Sequence, residues 1–172
     1  MKVLVTYASK HGSTQGIAEA IGRGLVERGF DTDVRQVEEV GDLEPYDAVV
    51  AGSAVYFGAW RKEALAFLDR HGDALRRVPV WLFSSGPVTP PGAPVDQKDV
   101  GLLAKTKDRL DAVGARDHRL FRGAADPAKL SFIERMPLKM AKMPMGDYRE
   151  WDDIAHWADG IADRMAADRA AR

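Results

Sequence analysis

The sequence predicts an α/β protein with three layers: a five-stranded parallel sheet, order 2-1-3-4-5, between two layers of helices. Three observations predict it. Short β-branched and aromatic runs alternate with segments of helical apolar spacing along the 172 residues, which is the pattern of right-handed βαβ crossovers. The strand runs lack strict polar alternation, as strands buried on both faces do. No internal repeat or linker interrupts the rhythm, so residues 1–172 are expected to form one domain.

Val3, Leu4, Val5, Thr6 and Tyr7 read as the first strand. A small polar loop follows, and then Ile17, Ala18, Ile21 and Leu25 recur at helical spacing, with Gly29 placed where a helix end favours it. Thr32 to Val37 reads as the second strand and Ala48 to Ser53 as a very apolar third. A helix is expected from about Trp60 to Leu75, burying Ala64, Leu65, Phe67 and Leu68. Val80 to Ser84 is the fourth strand. Leu102, Leu103, Leu110 and Val113 mark a further helix, and Asp117 to Gly123 reads as the fifth strand. The last helix carries Trp151, Ile154, Ala158, Ile161 and Met165, spaced by three and four. Two segments stand apart from this pattern. Pro87 to Pro94 holds four prolines and Gly92 and is a loop. Residues 128–148, before the last helix, form a connection longer than such connections usually are.

Composition narrows the chemistry. Apolar residues make up 45% and charged residues 30%, which suits a globular core and is too apolar for disorder. A net charge of −1 gives no reason to expect a nucleic-acid partner. The absence of cysteine removes disulfides, thiol nucleophiles and iron–sulfur ligation, so redox chemistry would need a bound organic cofactor. With a strand starting at Lys2 or Val3 and no apolar run of spanning length, a cytoplasmic location is expected.

In an open sheet of this order, ligands bind outside the carboxyl ends of the strands, in the crevice between strands one and three. The loop Ser9–Thr14 supplies Ser9, Ser13 and Thr14 hydroxyls, with Gly12 allowing close backbone approach. It enters a helix N-terminus, where free N–H groups and the helix dipole favour an anion. Neither the dinucleotide glycine fingerprint nor the P-loop pattern is present, and a plain helix cap is the competing explanation. The second loop, Ser53–Gly58 followed by Trp60, places Tyr56, Phe57 and Trp60 within five positions, a platform for a flat ring or a packing cluster for the next helix. A third loop, Ser84-Ser85-Gly86-Pro87, offers backbone groups. The two stronger loops together point to a planar, phosphorylated ligand. His71, His118 and His156 have no metal-ligand spacing and read as surface or capping groups; His11 lies in the first loop. No metal site and no catalytic residue is assigned.

The segment Thr6 to Thr14 resembles the phosphate loop of flavodoxins, T-x-T-G-x-T after an apolar strand, with His11 in place of the usual hydroxyl. Over nearly the whole chain the sequence is similar to the flavodoxin-like, menaquinone-dependent protoporphyrinogen IX dehydrogenases. It shares their second loop (Gly52 to Gly58), a long insertion before the final helix (here Lys129 to Tyr148) and the opening of that helix at Trp151-Asp152. The resemblance implies a flavodoxin-like fold and non-covalent FMN. It implies that Ser9, Lys10, His11, Gly12, Ser13 and Thr14 hold the FMN phosphate. Ser53, Ala54, Val55, Tyr56, Phe57 and Gly58 would flank the isoalloxazine, and Ser85, Gly86, Pro87 and Val88 would line its pyrimidine edge. The implied partners are a small-molecule porphyrinogen substrate and a quinone.

Within the insertion, Ile133, Met136, Met140 and Met143 form an apolar stripe, and 129–143 carries four basic residues against Glu134. Such a stripe serves as a lid packed on the sheet edge or as a flap for an apolar substrate, a quinone or a membrane surface, through 129–145. Three functions follow: a porphyrinogen–quinone oxidoreductase, an electron-carrying flavodoxin without a substrate of its own, or an interaction domain that has lost its flavin. The 25 basic and 26 acidic residues disfavour the carrier, which docks through a strongly acidic face.

Overall fold

The computed structural model describes residues 1–56, 58–86, 88, 106–126, 128, 136 and 145–171. In chain order its elements are β1 (Lys2–Ala8), α1 (Ser13–Glu27), β2 (Asp31–Gln36), a 3₁₀ turn (Val37–Glu39), β3 (Ala48–Tyr56) and β4 (Ala59–Trp60). There follow α2 (Lys62–Leu75), β5 (Val80–Ser85), α3 (Lys107–Ala112), β6 (Asp117–Phe121), β7 (Ala124–Ala125), β8 (Gly146–Asp147) and α4 (Trp151–Ala170).

The main sheet runs β2-β1-β3-β5-β6, and every pair along that path is parallel. This is the expected 2-1-3-4-5 order, with β5 and β6 as its fourth and fifth strands. Alternate strand residues feed two cores. Val3, Val5, Val50, Trp81 and Phe83 face α1 and α4, meeting Ile17, Ile21, Leu25, Ile154, Ile161 and Met165. Leu4, Val49, Val80 and Leu82 face the other way, against Phe67, Leu68 and Leu75 of α2 and Leu110 of α3. Burial of both faces is why these strands read as continuous apolar runs. Ion pairs then tie the helical layer together at its surface: Arg28 at the end of α1 reaches Asp159 and Asp163, and Arg119 of β6 reaches Asp153, both on α4.

Four expectations are corrected. The second helix begins at Lys62 rather than Trp60, because Ala59 and Trp60 turn back as β4 and pair antiparallel with Tyr56 and Val55. β3 itself runs on to Tyr56, with Ala54 paired to β5 and Val55 and Tyr56 to β4, so Ala54, Val55 and Tyr56 join Ser53 as strand residues rather than loop residues. β6 ends at Phe121, two residues short of Gly123. Trp151 is exposed at the start of α4, and the aromatic turned into the core is Trp157. In the helix marked by Leu102 and Leu103, only α3 lies within the described residues. The Pro87–Pro94 loop falls outside them except for Val88.

Candidate functional site

The carboxyl ends of β1, β3 and β5 bring the three expected loops to one rim. β1 ends at Ala8, and the chain turns through Ser9 to Gly12 before entering α1. Ser9 Oγ accepts from the Gly12 N–H at 3.1 Å. Gly12 is the N-cap of α1 and sits at φ 84°, a left-handed conformation that a Cβ would strain. With glycine there, no side chain caps the helix, and the first turn contains no acidic residue. The positive end of the α1 dipole is therefore left without a carboxylate, as an anion site requires. Thr14, in that first turn, is fully buried, and its Oγ1 has no hydrogen-bond partner. Leaving a buried hydroxyl unsatisfied costs about 1–3 kcal/mol, and a phosphate oxygen at the helix N-terminus would satisfy it. The residues present thus fit a phosphorylated cofactor. Lys10 is exposed and His11 half-buried at the turn.

The other hydroxyls of the rim tie the loops to one another. Ser13 Oγ accepts from the Ala124 N–H at 2.9 Å and lies 3.5 Å from Ser85 Oγ, joining the first loop to β5 and to β7. Ser53 is fully buried, and its Oγ accepts from the Arg61 N–H at 3.0 Å, closing the base of the β3–β4 hairpin. Ser84 Oγ accepts from the Trp60 indole N–H at 2.8 Å and meets His118 Nε2 at 2.8 Å. At the hairpin tip Tyr56 is exposed and Gly58 has φ 74°; Phe57 lies outside the described residues. Of the two expectations for Trp60, ring platform or packing cluster, the second fits: it is buried in the core under α2, against the edge of the His118 ring. Gly86 N–H is held by the Phe121 carbonyl at 3.0 Å, with Gly86 at φ 125°. Pro87 is not among the described residues.

Sequence reasoning missed two groups of residues. The first is the stem of the insertion. β7 and β8 pair antiparallel through Ala124↔Asp147 and Ala125↔Gly146, so the segment between them leaves from and returns to the rim. A cavity of about 260 Å³ lies there, lined by His11, Gly12 and Ser13 on one side and Ala124, Asp126, Gly146, Asp147 and Arg149 on the other. Arg149 secures this stem. Its guanidinium donates to both carboxylate oxygens of Asp147, reaches the Ser13 carbonyl at 3.3 Å and covers the Trp151 ring at 4.5 Å. It crosses α1 at Gly16, where an added Cβ would come within 2.5 Å of Arg149 Nη1. The bonded guanidinium holds the Asp147 carboxyl below the usual carboxylate range. Only tertiary structure brings Arg149 to Ser13, 136 positions away.

The second group is His118, which reads from sequence as a surface or capping residue. It is half-buried on β6, and burial lowers its imidazole to about 4 against the opposing pull of Asp117 and Asp111. The other histidines fit the expectation better: His156 is exposed, and His71 stays at the surface, stacked on Phe67. Of the insertion's apolar stripe only Met136 is described, and it is exposed. Among the described residues no cluster of metal-ligating side chains occurs, and no helix is long and apolar enough to cross a membrane.

Fold and site define a doubly wound α/β protein with the N-terminus of α1 at the switch between β1 and β3. Residues 4–152 match the family model described as Flavodoxin domain, and the chain belongs to that family; FMN is the cofactor this membership indicates. Two kinds of curated relative are similar to it. A protoporphyrinogen IX dehydrogenase [quinone] of Escherichia coli is 25% identical across 94% of this chain and 95% of that protein. An NAD(P)H dehydrogenase (quinone) of Methylocella silvestris is 31% identical over 93 residues, 41% of this chain; the match spans about half, 47%, of that protein. Flavodoxins share the fold. One from Streptococcus pneumoniae superposes with a TM-score of 0.59 at 15% identity, covering 98% of this chain and 99% of its own. An archaeal flavodoxin gives 0.56 at 19% identity, covering 83% and 97%. The relatives named as quinone dehydrogenases suggest an oxidoreductase.

Proposed function

We propose that this chain is an FMN-dependent oxidoreductase that oxidises a porphyrinogen-like substrate and delivers the electrons to a quinone. The observation that carries this reading is the position of the insertion stem. The β7–β8 ribbon stands directly against the first loop, pinned by Ser13 and Arg149, so the insertion arises at the cofactor rim. A carrier that only exchanges electrons through an exposed flavin edge has no need of such a structure there. End-to-end similarity to a protoporphyrinogen dehydrogenase supports the same reading.

In this reading the Thr14 hydroxyl and the first-turn N–H groups of α1 hold the FMN phosphate. Ser9 and Ser13 accept a backbone N–H each and keep their own protons to donate. Tyr56 and Gly58 at the hairpin tip, with Ser85, Gly86 and Val88, border the ring, and Phe57 and Pro87 fall between them in sequence. Bound FMN supplies the electron-accepting centre, and the protein sets its position and potential. The insertion, rooted at the β7–β8 stem, is the segment expected to receive the apolar substrates.

The test is anaerobic incubation of the FMN-loaded protein with protoporphyrinogen IX and menaquinone, following porphyrin fluorescence. The expected result is porphyrin formation that needs protein, FMN and quinone together. An FMN-loaded protein that forms porphyrin no faster than free FMN overturns the substrate assignment and leaves an electron carrier. Failure to bind FMN overturns the redox reading altogether.

A further inference from the structure

Beside the cofactor rim lies a buried hydrogen-bond chain to which no redox role falls directly: Trp60 on β4, Ser84 on β5 and His118 on β6. It joins three strands on the α2 side of the sheet. Its chemistry is constrained. An indole N–H only donates, so Ser84 Oγ must accept from Trp60. Ser84 Oγ keeps a second lone pair and a proton, so it pairs with His118 Nε2 as donor or as acceptor according to which ring nitrogen carries the imidazole proton. The ring lies edge-on to Trp60 with centroids 6.0 Å apart, so packing as well as hydrogen bonding fixes the indole. The groups with charge near the imidazole are Asp117 on its own strand and Asp111 on α3.

The position of this chain gives it leverage. Trp60 is the return residue of the β3–β4 hairpin, paired with Val55 and two residues from Gly58 at its tip. Ser84 immediately precedes Ser85 and Gly86, which open the third loop. One hydroxyl therefore sets the separation between the hairpin tip and the third loop, the two segments that border the flavin ring under the function proposed above. We propose that Trp60, Ser84 and His118 are positioning residues for the isoalloxazine, holding the two ring-bordering loops in register so that flavin affinity and potential depend on the Ser84–His118 hydrogen bond. This inference rests on that site reading.

The experiment compares wild type with Ser84→Ala, Trp60→Phe, His118→Leu and His118→Gln. It measures FMN dissociation constants, flavin midpoint potentials and flavin absorption spectra, with melting curves to confirm that each variant folds. The Gln amide offers both an acceptor and a donor near the Nε2 position, so it can replace the bond in either direction, and Leu offers neither. Ser84→Ala and His118→Leu are expected to weaken FMN binding about tenfold, the scale of one broken buried hydrogen bond, and to shift the midpoint potential and the visible bands. His118→Gln is expected to restore both towards wild type. Variants that melt lower yet keep wild-type affinity, potential and spectrum overturn the inference and leave the chain a packing feature only. A wild-type protein that binds no FMN overturns the site reading and this inference together, so the two failures are distinguishable.

Discussion

Two buried hydroxyls at the same end of the sheet have opposite surroundings. Thr14, under the first turn of α1, is sealed from solvent with no hydrogen-bond partner. Ser84, two strands away and equally buried, is engaged by Trp60 on one side and His118 on the other. Buried polar groups are ordinarily satisfied within the protein, and each exception needs a cause. The Ser84 side is a finished piece of architecture. The Thr14 side is unfinished, and under the proposed function its missing hydrogen bond is supplied by the cofactor phosphate. The difference teaches where to look for function: at the incomplete polar group for the ligand, and at the complete one for what holds the ligand's walls in place.

The comparison can be broken in several ways. The largest effect is expected from Trp60→Ala, which opens a cavity under the hairpin and leaves Ser84 without its donor. A loss of about 3–5 kcal/mol is expected, read from urea unfolding with an unchanged m value. A loss below about 1 kcal/mol would mean that the Ser84 side is not the rigid support described.

Acid comes next. The unfolded chain protonates His118 near 6.5, and the folded chain only near 4. Between these values the unfolded state binds more protons, so stability falls as pH drops from about 6.5 to about 4 and levels off below. The drop amounts to about 3 kcal/mol. His71, also lowered by burial, adds to the slope in the same direction. The test is therefore the difference between wild type and His118→Gln, whose profile is expected to be flatter across that window. Asp33 and Asp147, both held low by hydrogen-bonded partners, lose their contribution only at more acid pH.

A smaller but sharper contrast compares the two hydroxyls themselves. Thr14→Val removes an unsatisfied group at constant shape and is expected to leave the apo-protein as stable or about 1 kcal/mol more stable, while weakening FMN. Ser84→Ala is expected to destabilise the apo-protein by about 1–2 kcal/mol. Opposite signs in apo melting curves support the distinction; equal signs remove it. Smallest is Ser13→Ala, which frees the Ala124 N–H. Its hydrogen exchange is expected to quicken about fivefold, corresponding to about 1 kcal/mol, while exchange in β1 and β3 stays unchanged.

Much of this molecule was legible in its residues because a doubly wound sheet leaves a strong local record. Val3 to Tyr7, Ala48 to Val50 and Val80 to Phe83 are buried on both faces and read as uninterrupted apolar runs. Ile17, Ile21 and Leu25 repeat at helical spacing because one stripe of α1 meets the sheet. Strand order and the crevice between β1 and β3 follow from handed crossovers, and Gly12 before Ser13 and Thr14 marked the turn that enters α1. Periodicity stops informing where a side chain's partner is distant in sequence. Trp60 read equally as a ring platform or a packing residue, and a two-residue strand turns it inward onto Ser84. Trp151 looked like a core residue, yet it lies outside under Arg149. His118 looked incidental because its partner is 34 positions away. Residue types and their spacing alone determined the sheet, its helical layers and the phosphorylated nature of the ligand. Only the tertiary structure decided which hydroxyls bind one another, which aromatic faces inward and where the insertion is rooted, because those choices depend on register between strands and helices that never meet along the chain.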